Sequence, residues 1–171
     1  MYIDDSYGFL GLYKSTNNGN TWTQTNDGAL SSSQGNSGYW YGKIKVDPTN
    51  PDIVFIIGFD MYKTTNGGSS WGPTFEFVHV DQHAIVFRNS DEVYFGNDGG
   101  VYKCDNFTDN KPVIYSRNQG YNVTQFYSAD INPLPADQRL IGGTQDNGSL
   151  MAINSGTSYF KPVSGADGAF T

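Results

Sequence analysis

Three aspartates recur at one place in the sequence pattern. Asp60 follows the apolar run 53–58, Asp98 follows 92–96, and Asp146 follows 139–143. Asp4 and Asp5 hold the same place in a first, incomplete copy. Carboxylates set out in this way admit two readings. In the first they ring a polar pocket for a sugar or a cation, and two of them act as acid and base in an inverting glycoside hydrolysis. Such a pair stands ~6.5–9.5 Å apart, leaving room for a water. In the second, each Asp caps the glycine-rich backbone that follows it, as in Asn97-Asp98-Gly99-Gly100 and Asp146-Asn147-Gly148. Recurrence in every copy favours capping, because catalysis needs particular positions.

The most distinctive cluster is Asp81-Gln82-His83. The chain has 2 histidines, His79 and His83. Asp81 is placed to orient His83 by a hydrogen bond. One Asp and one His are too few for a zinc site, so no metal and no cofactor is expected. Gln145 stands beside Asp146, and Trp40-Tyr41 precede an apolar run. These aromatics suit stacking on sugar rings or packing in a core. Gly68-Ser69-Ser70-Trp71-Gly72 spells a nucleophile elbow, but no helix pattern follows it. Cys104 has no paired base in the sequence and reads as a buried thiol.

The elements that must position these residues repeat. The segment 13–22, YKSTNNGNTW, matches 62–71, YKTTNGGSSW, 49 residues on. Tyr102-Lys103 restarts the pattern 40 residues later, and a faint copy begins at Leu150. Apolar runs recur between the copies. Each unit reads as four short antiparallel strands, A to D from the inside out. A four-stranded unit repeated every ~40–50 residues predicts an all-β β-propeller. The expected blades span about 1–38 (incomplete), 39–80, 81–122 and 123–166, with a further strand starting over 167–171. About four blades' worth of chain predicts part of a larger propeller, completed by the same chain or a second copy. The alternative is closure of the first blade by the terminal strand.

The two intact motifs fit S/T-x-D/N-x-G-x-S/T-W, and here the sequence resembles the BNR/Asp-box propellers: sialidases, family 74 glycoside hydrolases and sortilin-type receptors. The resemblance implies a folding role for the motif residues Ser15, Asn17, Gly19, Trp22, Thr64, Asn66, Gly68 and Trp71. The Asn caps turn amides, the Gly permits a positive φ, and the Trp packs between sheets. The resemblance also implies that ligands sit on the face opposite the motif, where the B–C and D–A loops lie. That places Asp60, Asp98 and Asp146 as catalytic candidates, with Asp81, His83, Gln145, Trp40 and Tyr41 binding substrate. The sialidase arginine cluster has a poor match in Arg88, Arg117 and Arg139.

Composition agrees with short strands and many turns: 21 Gly, 12 Tyr and 11 Phe in 171 residues. The net charge of −7 and the lack of a basic run disfavour nucleic acid. No apolar stretch reaches the ~20 residues of a membrane helix. No secretory leader is evident after Met1, and the lone cysteine leaves the redox compartment open. Sequons occur at Asn106, Asn122 and Asn147. The expected function is that of an extracellular glycan-binding or glycan-processing propeller, with a polysaccharide or glycan as partner. The alternative is a non-catalytic module of a cell-surface or extracellular assembly that binds a protein ligand.

Overall fold

The computed structural model describes residues 2–5 (backbone only), 7–75, 78–121, 123–134, 137–154, 156 and 159–168. Asn122 and residues 169–171 lie outside this set. The chain forms two compact units, Met1–Asn118 and Gln119–Thr171. Among the described residues both are all-β, with one 3-10 turn at Gly28–Leu30. Among the described residues no helix is long and apolar enough to cross a membrane.

The first unit contains three antiparallel sheets. The first runs β1 (Tyr2–Asp5), β2 (Gly8–Lys14) and β3 (Thr23–Gln24). The second runs β4 (Lys43–Val46), β5 (Val54–Ile57), β6 (Met61–Thr64) and β7 (Gly72–Pro73). The third runs β8 (Gln82–Phe87), β9 (Glu92–Asn97), β10 (Gly100–Asp105) and β11 (Val113–Ser116). The second unit is one sheet of the same order: β12 (Phe126–Ile131), β13 (Leu140–Thr144), β14 (Ser149–Ala152) and β15 (Lys161–Ser164). Strands paired in sequence order, four to a sheet, are the architecture of propeller blades.

Strand periodicity explains how the first unit coheres. Side chains alternate between the two faces of a strand. On β5, Phe55 and Ile57 join Ile85, Val93, Phe95 and Cys104 in one buried cluster. Ile56, between them, joins Leu12 and Leu30 in another. The second sheet is therefore apolar on both faces and buries each against a neighbour. Aromatic rings fill the larger cluster. Phe75 stacks on Phe95 at 4.5 Å, and Phe95 stacks on Tyr102 at 5.4 Å.

The repeated motif folds into the same turn twice. Ser15 Oγ accepts the Gly19 amide at 2.8 Å, and Thr64 Oγ1 accepts the Gly68 amide at 3.1 Å. Asn17 Oδ1 accepts the Thr21 amide and Asn66 Oδ1 the Ser70 amide, each at 2.9 Å. Gly19 and Gly68 have φ of +86° and +90°, where a side chain would be strained. Ser70 is thus a turn residue, as its lack of a following helix suggests. The second turn is also tied sideways. Asn26 donates to the carbonyls of Gly68 and Ser69 through its backbone and side-chain nitrogens. Lys63 reaches in the same way to the carbonyls of Phe107 and Asp109. Trp22 is less buried than expected of an inter-sheet residue: 47% of it is exposed. It lines a cleft of about 520 Å³ with Trp71, Leu12, Ile44 and Val54.

Candidate functional site

The site is built at the end of the first unit opposite those turns. Three segments stack there. The first is the loop 31–41, wound into successive turns that place Trp40 and Tyr41, whose amides both bond to the Ser37 carbonyl. The second is the β5–β6 turn, where the Phe59 amide donates to the Ser33 carbonyl at 2.9 Å. Gly58 is required here, since a Cβ would lie 2.1 Å from the Ser33 oxygen. The third is the approach to β8. Asp81 and Gln82 donate their amides to the carbonyls of Phe59 and Gly58, both at 2.9 Å. Asp81 adopts φ +64°, a left-handed conformation that Asp tolerates better than most residues.

His83 is then placed by an irregularity. Gln82 pairs with Asn97 and Ala84 with Gly96, so His83 is an extra residue in the ladder. Such a bulge re-aims a side chain. The His83 Nε2 lies 2.7 Å from Asp98 Oδ1. The imidazole stacks on Tyr41 at 6.0 Å and meets the edge of Trp40 at 6.1 Å. The Tyr41 hydroxyl donates to Asp81 Oδ1. Lys43 Nζ donates to the His83 carbonyl at 2.9 Å, bringing a cation to this acidic corner. Carboxylate oxygens of Asp81 and Asp98 come within 4.8 Å of each other.

Five of the residues singled out from sequence therefore converge: Trp40, Tyr41, Asp81, His83 and Asp98. The pairing differs from the one expected. Asp98, across the sheet, takes the His83 ring, while Asp81 takes Tyr41. Two amides of the turn after Asp98 are held by other side chains. Asn97 Oδ1 accepts the Gly99 amide at 3.0 Å, and Asn118 Oδ1 accepts the Val101 amide at 2.7 Å. Asp60 is exposed in the β5–β6 turn, where its carbonyl accepts the Gly58 amide. Gln145 and Asp146 belong to the second unit. There Asp146 has φ +58° and its amide donates to Asp167 Oδ1 at 3.0 Å.

Sequence reasoning passed over Asn118 and two aromatics. Tyr7 and Tyr39 meet edge to face at 5.2 Å and are 58% and 70% exposed, close to the 62% of Trp40. The adjacency of Tyr39 to Trp40-Tyr41 was the available signal.

Away from this end, several ionisable groups are engaged structurally. Glu92 is buried, which pushes its carboxyl up. Hydrogen bonds from Lys103, Tyr94 and Arg88 outweigh that and hold it below the usual carboxylate range. Hydrogen bonds from Arg139 lower Asp137 similarly. Burial lowers Lys63 and pushes the Cys104 thiol up to about 12, so this cysteine is no nucleophile at neutral pH. Arg88 is paired with Glu92, Arg139 with Asp137, and Arg117 lies over the Tyr115 ring.

No family model matches the chain, and no curated protein matches it. Among solved structures it is similar to the GH74 enzyme of Niastella koreensis, with 16% identity and a TM-score of 0.44. The similarity covers 90% of this chain and 26% of that one, so the chain spans about a quarter of its length.

Proposed function

We propose that this chain is a secreted propeller of the BNR/Asp-box type that binds neutral glycans. The observation that supports this is the corner formed by Trp40, Tyr41, His83, Asp81 and Asp98. An exposed indole beside carboxylates matches the two faces of a sugar. The ring stacks on C–H groups, and the oxygens accept hydroxyl protons. The acids disfavour anionic sugars, and the arginines sit in local contacts of their own.

Hydrolysis is the second reading. Asp81 and Asp98 approach more closely than the ~6.5–9.5 Å of an inverting pair, and each already holds a partner. They serve ligand recognition better than acid–base exchange with a water between them. Asp60 in the first unit and Asp146 in the second are the other carboxylates this reading has to draw on. The exposed aromatic group Tyr7, Tyr39 and Trp40 also suits a protein ligand, since aromatics anchor protein interfaces.

Titration calorimetry with a panel of neutral oligosaccharides tests the proposal. Wild-type chain should bind, and Trp40→Ala should weaken binding about tenfold or more, the loss of one stacking platform. Asp98→Asn should weaken it without lowering the melting temperature. No binding to any glycan, or binding unchanged in Trp40→Ala, overturns the reading. Release of reducing ends by the wild type, abolished in one of the Asp variants, would move the assignment to hydrolysis.

A further inference from the structure

We infer that Gln82 and Asn97 are positioning residues for the His83–Asp98 pair. Gln82 is 3% exposed and Asn97 9%, so both amides are held out of water. They face each other across the β8–β9 ladder at the base of the bulge. Gln82 Nε2 donates to the His79 carbonyl. Asn97 Nδ2 donates to that same carbonyl at 2.8 Å and to Gln82 Oε1 at 3.3 Å. Asn97 Oδ1 accepts the Gly99 amide.

The pair therefore joins the two segments that carry the site. On one side it fixes the carbonyl four residues before His83. On the other it fixes the amide next to Asp98. Buried amides are costly unless bonded, so these residues are there because the backbone groups they satisfy have to be satisfied. A connected network of this kind is rigid. The extra residue in the ladder would otherwise let the imidazole face several ways. With both ends pinned, its Nε2 meets Asp98. An apolar residue at either position would fill the space, but would leave the His79 carbonyl or the Gly99 amide short of a partner. Neither residue reaches the surface where a sugar would lie, so they act through His83 and Asp98.

The consequence for affinity rests on the glycan-binding reading, whereas the consequence for geometry does not. The test uses the full chain, labelled with 15N, as wild type, Gln82→Leu and the milder Asn97→Ser. A core variant, Ile53→Val, serves as a control for general destabilisation. Imidazole 15N shifts of His83 are read first, with no sugar present. Both site variants should lose the wild-type Nε2 shift, and the control should keep it. Glycan affinity should then fall about tenfold in Asn97→Ser, the effect of losing one buried hydrogen bond. Wild-type shifts in a folded Asn97→Ser overturn the inference, as does an equal change in the control. If the shifts change but the wild type binds no glycan, the function falls and the positioning role stands.

Discussion

At the scale of single residues, the pairing of His83 with Asp98 gives the acidic corner its form. A carboxylate 2.7 Å from an imidazole is directional. It leaves Asp81 to Tyr41 and sets two aromatic rings against the histidine. A second residue, Glu92, shows how charge supports the fold. Four donors converge on its buried carboxylate: Arg88 at 2.8 Å, Lys103 at 3.1 Å, the Tyr94 hydroxyl at 3.1 Å and Asn89 Nδ2 at 3.4 Å. Its carboxyl is lowered from the ordinary 4.5. A depressed acid stabilises the fold above its unfolded value, and this contribution is lost as pH falls through the folded value. Glu92→Gln should therefore be less stable than wild type at pH 7. The difference should shrink as pH drops below 4.5, through the lowered range. Urea unfolding across that range checks the sign; a gap that widens in acid would refute it.

At the scale of elements, two local devices matter. One is the turn that repeats after β2 and after β6. Its hydrogen bonds are the same in both copies, but burial differs. Thr64 is 2% exposed, whereas the Ser15 bonds are solvent-exposed. Removing the Thr64 hydroxyl strands the Gly68 amide away from water. Thr64→Val should cost about 1–3 kcal/mol, the penalty for a buried polar group left unpaired. Ser15→Ala should cost less, because water replaces the lost partner. Comparing their denaturation midpoints tests whether burial decides the value of the motif. The other device is the bulge at His83. A regular β8 would place residue 83 in the ordinary in–out alternation, and Asp98 would have no imidazole beside it.

At the scale of the whole molecule, the first unit depends on a second sheet that is apolar on both faces. Phe55 is fully buried and touches Phe75, Phe87 and Phe107. Phe55→Ala should destabilise the first unit by about 3–5 kcal/mol, the cost of a large cavity in a packed core. The β5 amides should lose hydrogen-exchange protection. The second unit, Gln119–Thr171, has its own four-stranded sheet, and its β13–β14 amides report on it separately. Retained protection in β5 would show that the aromatic cluster is not what holds the sheets together.

The sequence by itself determined the strands, their order and the repeated turn. Those features rest on contacts between near neighbours: alternation along a strand, a Ser or Thr oxygen four residues from a Gly amide, a Gly at positive φ. The resemblance to known propellers, with the alternation of loops between faces, set Asp60, Asp81, His83, Asp98, Gln145 and Asp146 on the loops opposite the motif, and left Trp40 and Tyr41 open between stacking on a sugar and packing in a core. Tertiary structure alone decided which of them pair. Asp81 stands two residues from His83 and was the natural partner by sequence. The bulge turned the ring across the sheet to a residue 15 positions away. Gln82 and Asn97 entered the sequence reading only as the neighbours of His83 and Asp98. Their part emerges only when the β8–β9 register sets two amides face to face in a place that water does not reach.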